Sequence, residues 1–279
     1  MAPSTARCRI YVFFMVAILL VIWDASTKAQ NSGRAVPTAS LYSAYAKSHK
    51  LIAKYRPPVS TRSAAGIAVY NAASPAVVLV VVGDMRNDKL TNVSLGSGVV
   101  ITSDGYILTN WHVISGHRYA AVILKPANDG ELSNPRTYVG EVVSENSVVD
   151  LALIKLQKSP TDLRVIPLGN ISDIEVAENI NIIGHPAGGV PWSYSTGVIS
   201  QISKDREWTY EDGSKHEADV LQMQTAINPG NSGGPVLDDN GRLLGLVAMS
   251  RVGAQNLDFA IAINVIRSFT SQAMASRVP

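Results

Sequence analysis

Apolar and polar positions change rhythm three times along the chain. Residues 1–9 carry Arg7 and Arg9 and no acid, and an unbroken apolar run of fourteen residues follows from Ile10 to Trp23. Residues 30–65 are rich in Ser, Ala and Thr and contain a Pro57-Pro58 break. Within them Leu41, Tyr45, Ile52 and Tyr55 recur at roughly helical spacing, which predicts a short helix around residues 39–55. From Gly66 onward the texture is that of short strands rich in β-branched residues. The runs are Ala76–Val82, Val99–Leu108, Ala120–Leu124, Leu151–Leu156, Ile180–Ile183, Gly197–Ile202 and Leu243–Ala248. Turn formers punctuate them at Ser103-Asp104-Gly105, Asn128-Asp129-Gly130, Glu211-Asp212-Gly213 and Asp239-Asn240-Gly241. Strands so spaced, without amphipathic helices between them, predict an all-β antiparallel sandwich or barrel pair, and roughly 200 residues fit two antiparallel six-stranded β-barrels. Within this β-rich stretch only Ile263–Ala275 reads as a helix, at the end of the chain. The expected organisation is a leader at 1–29, an N-terminal arm at 30–65 and one β domain at 66–279.

The leader has the parts of a secretory signal peptide: a basic start, an apolar centre ended by Asp24, and small residues at Thr27-Lys28-Ala29. The alternative is an uncleaved membrane anchor, but fourteen residues in a helix span about 21 Å, short of the roughly 30 Å hydrocarbon core. The expectation is therefore a periplasmic or secreted protein, with a membrane-anchored form facing away from the cytoplasm as the alternative. Composition sharpens this. The chain holds 24 Lys+Arg against 22 Asp+Glu, and removing residues 1–29 leaves 21 of each. The slight basic lean belongs to the leader, and no Lys/Arg-rich run or RNA-binding motif points to nucleic acid. A hydrophobic fraction of 46% with 16% charged residues excludes a disordered chain. The single cysteine, Cys8, precedes the apolar run, which excludes an internal disulfide framework and a multi-cysteine zinc site.

The segment richest in chemistry is Asn228-Pro229-Gly230-Asn231-Ser232-Gly233-Gly234-Pro235. Pro229-Gly230 suits the centre of a type II turn, where glycine supplies positive φ. Such a turn aims the Gly230 and Ser232 N–H groups at one point beside the serine hydroxyl, as an oxyanion hole requires. The bland alternative is a glycine-rich loop between strands. Gly230 to Gly234 also fits the nucleophile elbow of α/β-hydrolases, but there the histidine follows the serine, whereas His49, His112, His117, His185 and His216 all precede Ser232.

A serine hydroxyl needs a neighbouring base. His112 follows an apolar strand in Thr109-Asn110-Trp111-His112-Val113-Ile114, where a strand ends in a loop or short helical turn. His117 reads as solvated, His185 as a turn residue, His216 as part of a charged loop and His49 as part of the arm. Asp150 opens Asp150-Leu151-Ala152-Leu153-Ile154, an acid set in apolar surroundings that needs a partner there. Asp129, Asp205, Asp212 and Asp219 read as surface charge. The order His112, Asp150, Ser232 is that of chymotrypsin-type proteases.

Together these residues resemble the trypsin-like fold and, more closely, the HtrA/Deg family of exported serine proteases. The resemblance runs from Ser74 to Ile261 through Gly96-Ser97-Gly98-Val99-Val100-Ile101, the His112 and Asp150 segments, Thr196-Gly197-Val198-Ile199-Ser200, the Ser232 block and Gly241-Arg242-Leu243-Leu244-Gly245. It implies His112 as base, Asp150 as orienter and Ser232 as nucleophile, with the Gly230 and Ser232 N–H groups as oxyanion donors. It implies protein or peptide substrates and neither cofactor nor metal. The expected departures are a missing PDZ domain, His185 where asparagine is common, and Gln224 where aspartate is frequent. Aligned on Ser232, the resemblance places Ala248, Met249 and Ser250 beside the primary specificity pocket and Ala226 near its base. With no acid there, cleavage after small or medium aliphatic residues is expected. The competing expectation is a protein-binding or chaperone module that keeps the fold but seldom cleaves, and the arm's tyrosines offer contacts for a homo-oligomer.

Overall fold

A computed structural model describes residues 64–86, 89–126, 136–187, 189–250 and 257–276. The leader and the predicted helix around 39–55 lie outside the described residues. The first element is a helix, α1 (Ala64–Ala73), which crosses the expected boundary between arm and β domain. Its strand-like residues Ile67, Val69 and Tyr70 sit among alanines that permit either conformation, and Val69 and Ala73 are buried.

A 3₁₀ turn, Ser74–Ala76, leads into β1 (Val77–Arg86), whose residues Val77–Val82 are all buried. Both faces are covered, as a continuous β-branched run requires. β2 (Lys89–Val100) returns beside β1 with Val77 opposite Val99. The expected strand Val99–Leu108 is in fact the end of β2 and the start of β3 (Tyr106–Thr109). The turn between them holds Gly105 at φ 95°, where any side chain would meet Ser159 and Leu156. After the single-turn helix α2 (Trp111–Ile114) come β4 (Tyr119–Leu124), β5 (Thr137–Asn146) and β6 (Leu151–Leu156). The order β1-β2-β3-β6-β5-β4 closes into a barrel where β4 pairs back on β1. Ile107, Leu108, Ile123, Leu153 and Ile154 are sealed from solvent in it.

The second half repeats the closure. β7 (Asn179–Gly184), the long β8 (Ser193–Thr209), β9 (Lys215–Gln224), β10 (Pro235–Leu237), β11 (Leu243–Ser250) and β12 (Asp258–Ala262) form a six-stranded antiparallel ring ordered β10-β11-β12-β9-β8-β7. Val236 opposite Ile182 joins its ends. Phe259, Leu221 and Met223 fill it. α3 (Ile263–Ala275) falls where the sequence places it, with Ile263, Ile266, Phe269, Thr270 and Ala273 buried at spacings of three and four. It packs on β5 and β6 of the barrel and on β9, β11 and β12 of the ring, so one apolar stripe clamps both halves. Among the described residues no helix is long and apolar enough to cross a membrane.

Candidate active site

Asn110 leaves β3 in an extended conformation (φ −80°, ψ 152°) and starts α2. Val113 and Ile114 turn inward, which leaves the His112 side chain 24% exposed at the edge of the barrel. On the neighbouring turn, Asn146 Oδ1 accepts the N–H groups of Val148 and Val149. The chain then enters β6 through Asp150 at φ 53°. A left-handed conformation costs a non-glycine residue about 1 kcal/mol, and at this site it turns a fully buried carboxylate toward α2. The Asn110 side-chain amide donates to the Asp150 carbonyl at 3.0 Å and ties the two segments together.

The buried carboxylate is well supplied with donors. The His112 backbone N–H donates to Oδ1 at 2.9 Å, and His112 Nδ1 lies 2.8 Å from Oδ2 and 3.0 Å from Oδ1. A third donor escaped sequence reasoning: the Tyr210 hydroxyl, 2.9 Å from Oδ2. Burial, then the charge of Asp150, pushes the Tyr210 phenol well above its usual pKa, so it stays protonated and donates. Because a carboxylate only accepts, the imidazole proton sits on Nδ1 and the Nε2 lone pair faces away from Asp150.

Ser232 comes from the loop between β9 and β10. Gly230 and Gly233 both take positive φ, 97° and 81°. A Cβ on Gly233 would stand 2.1 Å from the Ser97 carbonyl, so this loop can approach β2 only as glycine. Ser97 N–H donates to the Ser232 carbonyl at 2.7 Å, and Gly233 N–H to Val247 at 2.8 Å. Pro229 O accepts from Ala187 N–H at 2.6 Å. In a trans peptide this directs the Gly230 N–H to the opposite side. Among the described residues neither the Gly230 nor the Ser232 N–H has a protein acceptor.

The Ser232 hydroxyl donates to the Ala248 carbonyl at 3.3 Å. Tyr210 Oη lies 3.2 Å from the same carbonyl. Ser232 thus bonds a carbonyl beside the Tyr210 hydroxyl and makes no direct hydrogen bond to His112. Serine hydroxyls and their bases are often this loosely joined before a substrate arrives. Of the expected pocket residues, Ala226 is exposed, Ala248 is buried, and Met249 and Ser250 end β11.

Three other histidines depart from their sequence reading. His185 is 5% exposed; its Nδ1 lies 2.9 Å from Ser97 Oγ, which in turn donates to the Gly230 carbonyl at 2.9 Å. It therefore braces the Ser232 loop as well as its own turn. Since the Ser97 proton goes to Gly230, the imidazole must donate from Nδ1, and Nε2 is left buried without a partner. Burial lowers the His185 pKa to about 3. The Trp192 ring packs against it at 4.8 Å while donating its own N–H to Val77. His216 lies buried in β9, bonded to the Ser147 carbonyl at 2.6 Å and to Ser214 Oγ at 2.8 Å. The His117 ring is mostly covered, held by the Ser115 carbonyl and 3.4 Å from Asp84. His49 and Asp129 lie outside the described residues.

Gln224 lines a cavity of about 1130 Å³ between α1 and the β7–β8 pair, with Tyr70, Asn181, Trp192 and Tyr194. None of His112, Asp150 and Ser232 lines it. Among the described residues no cluster of three or more His, Cys, Asp or Glu side chains could hold a metal ion.

Comparison with known proteins identifies the family. The family model described as the trypsin-like peptidase domain matches residues 96–246, from the strand carrying Ser97 to the one carrying Leu246. The putative serine protease HhoA of a Synechocystis species is 33% identical over 180 residues, which are 64% of this chain and 43% of that protein. A Staphylococcus aureus protein described as serine protease HtrA-like is 28% identical over 196 residues, 67% of this chain and 24% of its own length. The chain thus spans less than half the length of these curated relatives. Among solved structures, the HtrA-type protease AlgW with tripeptide is 29% identical at a TM-score of 0.61, covering 75% of this chain and 64% of that one. A serine endoprotease from Yersinia pestis is 27% identical at 0.58, covering 79% and 68%. With a family model matched over residues 96–246 and these relatives and structures alongside it, the chain belongs to the trypsin-like peptidase family, in its HtrA/Deg-like branch.

Proposed function

We propose that the chain is a serine endopeptidase that cleaves exported proteins in unfolded or misfolded form, using His112, Asp150 and Ser232. The observation that carries the reading is the 2.8 Å contact of His112 Nδ1 with a fully buried Asp150, beside a loop that presents Ser232 with two unused backbone donors. In this reading Ser232 Oγ attacks the peptide carbonyl as its proton passes to His112 Nε2. Asp150 keeps Nδ1 protonated and stabilises the imidazolium that forms. The carbonyl oxygen gains charge and accepts from the N–H groups of Gly230 and Ser232. His112 then protonates the leaving amine, and water activated by the same ring releases the acyl group. Ala226, Ala248, Met249 and Ser250 flank the side chain before the scissile bond and favour small or medium aliphatic residues. Residues 1–29 direct export, to the periplasm or beyond.

A low-activity protein-binding module on the same fold is the second reading. It draws support from the Ser232 hydroxyl, which bonds Ala248 instead of His112. One experiment separates the two. The purified protein should degrade casein and be labelled by a fluorophosphonate, and Ser232→Ala should lose both. A wild-type chain that suppresses aggregation of a denatured client yet neither cleaves nor labels would refute the protease reading.

A further inference from the structure

Asp150 Oδ2 receives a hydroxyl from a residue 60 positions away, on the other half of the molecule. The segment that delivers it is the hairpin between β8 and β9. Tyr210 closes the hairpin end: its N–H donates to Ser214 O at 3.0 Å and its carbonyl accepts from Gly213 N–H at 3.0 Å. Gly213 takes φ 83° there. The hairpin is anchored on the two segments that carry His112 and Asp150. Glu217 N–H donates to the Val148 carbonyl at 2.8 Å and His216 Nδ1 bonds the Ser147 carbonyl, both two or three residues before Asp150. The His216 ring stacks on Trp208 at 5.3 Å and lies 5.8 Å from Trp111, the neighbour of His112. The Tyr210 ring itself lies 4.8 Å from the His112 ring.

A phenol has one proton to give, and Tyr210 faces two acceptors, Asp150 Oδ2 at 2.9 Å and Ala248 O at 3.2 Å. The carboxylate is the nearer and the charged one, so it takes the proton. Oδ1 is fixed by the His112 backbone N–H. Without the phenol, Oδ2 would answer to the imidazole alone.

We propose that Tyr210 is a positioning residue for the reaction: its hydroxyl fixes the Asp150 carboxylate and thereby aims the His112 ring, so that a hairpin of the second half completes the site of the first. The inference rests on the protease reading given above. Tyr210→Phe keeps the ring against His112 and removes only the donor. Steady-state cleavage of an internally quenched peptide with valine before the scissile bond should show kcat lower by roughly ten-fold or more, the scale of one charge-assisted hydrogen bond. KM should stay within about two-fold and fluorophosphonate labelling should slow in parallel, because the loss is felt as charge develops on His112. Replacing Tyr210 by para-aminophenylalanine restores a donor at the same place and should recover most of kcat. A folded Tyr210→Phe protein with wild-type kcat overturns the proposal and leaves the protease reading standing. A wild-type protein that neither cleaves nor labels overturns both. Should Tyr210→Phe lose cooperative unfolding, NMR of the wild-type chain with 13Cζ-labelled tyrosine decides. A slowly exchanging, downfield Tyr210 hydroxyl proton supports the proposal, and a rapidly exchanging one refutes it.

Discussion

Lowering the pH from 8 to 5 places a specific load on His185. Its ring sits between Ser97 and Trp192, Nδ1 donates to Ser97, and Nε2 is buried without a hydrogen-bond partner. A second proton would have to go on Nε2, where burial penalises its charge and no protein group accepts it. The folded pKa is accordingly lowered to about 3, from the ordinary 6.5 that the unfolded chain retains. Between these values the unfolded chain holds a proton that the folded chain refuses. Stability from this group is complete above about pH 6.5 and declines toward pH 3 by about 1.4 kcal/mol per pH unit. At pH 5 the loss is about 2 kcal/mol relative to pH 8, a large part of the margin of an ordinary domain. Urea unfolding in a Ser232→Ala background, which prevents self-digestion, measures it. Wild-type His185 is compared there with His185→Asn, an amide that can still donate toward Ser97 but does not titrate. Carboxylates and the other histidines contribute equally to both proteins, so the difference between their losses isolates His185. The asparagine variant should lose about 2 kcal/mol less from pH 8 to pH 5. Parallel losses, within about 0.5 kcal/mol, would refute the burial argument.

Two further outcomes follow from the packing. A Cβ on Gly230 would stand 2.3 Å from the His185 carbonyl at a φ that disfavours side chains. Gly230→Ala should therefore displace an oxyanion donor and lower peptide cleavage by roughly 10²–10³ while cooperative unfolding persists; near-normal cleavage would contradict the donor assignment. Ile154 is sealed in the barrel, where its Cγ2 occupies the space that a side chain on Gly140 would need. Ile154→Ala should cost about 2–5 kcal/mol in urea unfolding, and a loss below about 1 kcal/mol would mean that the cavity closes.

Much of this was legible in the chain itself. The runs Val77–Val82 and Leu151–Ile154 announce strands because strands covered on both faces need β-branched or aliphatic residues at every position. The Ser232 segment announces its turn because Gly230 and Gly233 occupy conformations other residues resist. α3 was readable from a stripe at helical spacing. The remaining elements left weak marks. β5 is half-buried along most of its length, so its pattern is neither a continuous run nor a clean alternation. β9 alternates, but one of its buried positions is His216, which reads as surface. In α1 the alanines are silent about which face packs, and the buried side is chosen by contact with β7.

The local rules of the sequence thus set the continuous apolar strands, the turn that carries Ser232 and the His112, Asp150, Ser232 order. Covalent geometry and hydrophobic period act over a few residues, and a few residues suffice to display them. The tertiary structure alone decided the supporting partners. Ser97 meets His185 across 88 positions, and Tyr210 meets Asp150 across 60. A buried hydrogen bond of that span leaves no period in the chain; it exists because closing the barrel and the ring brings donor and acceptor together in the interior.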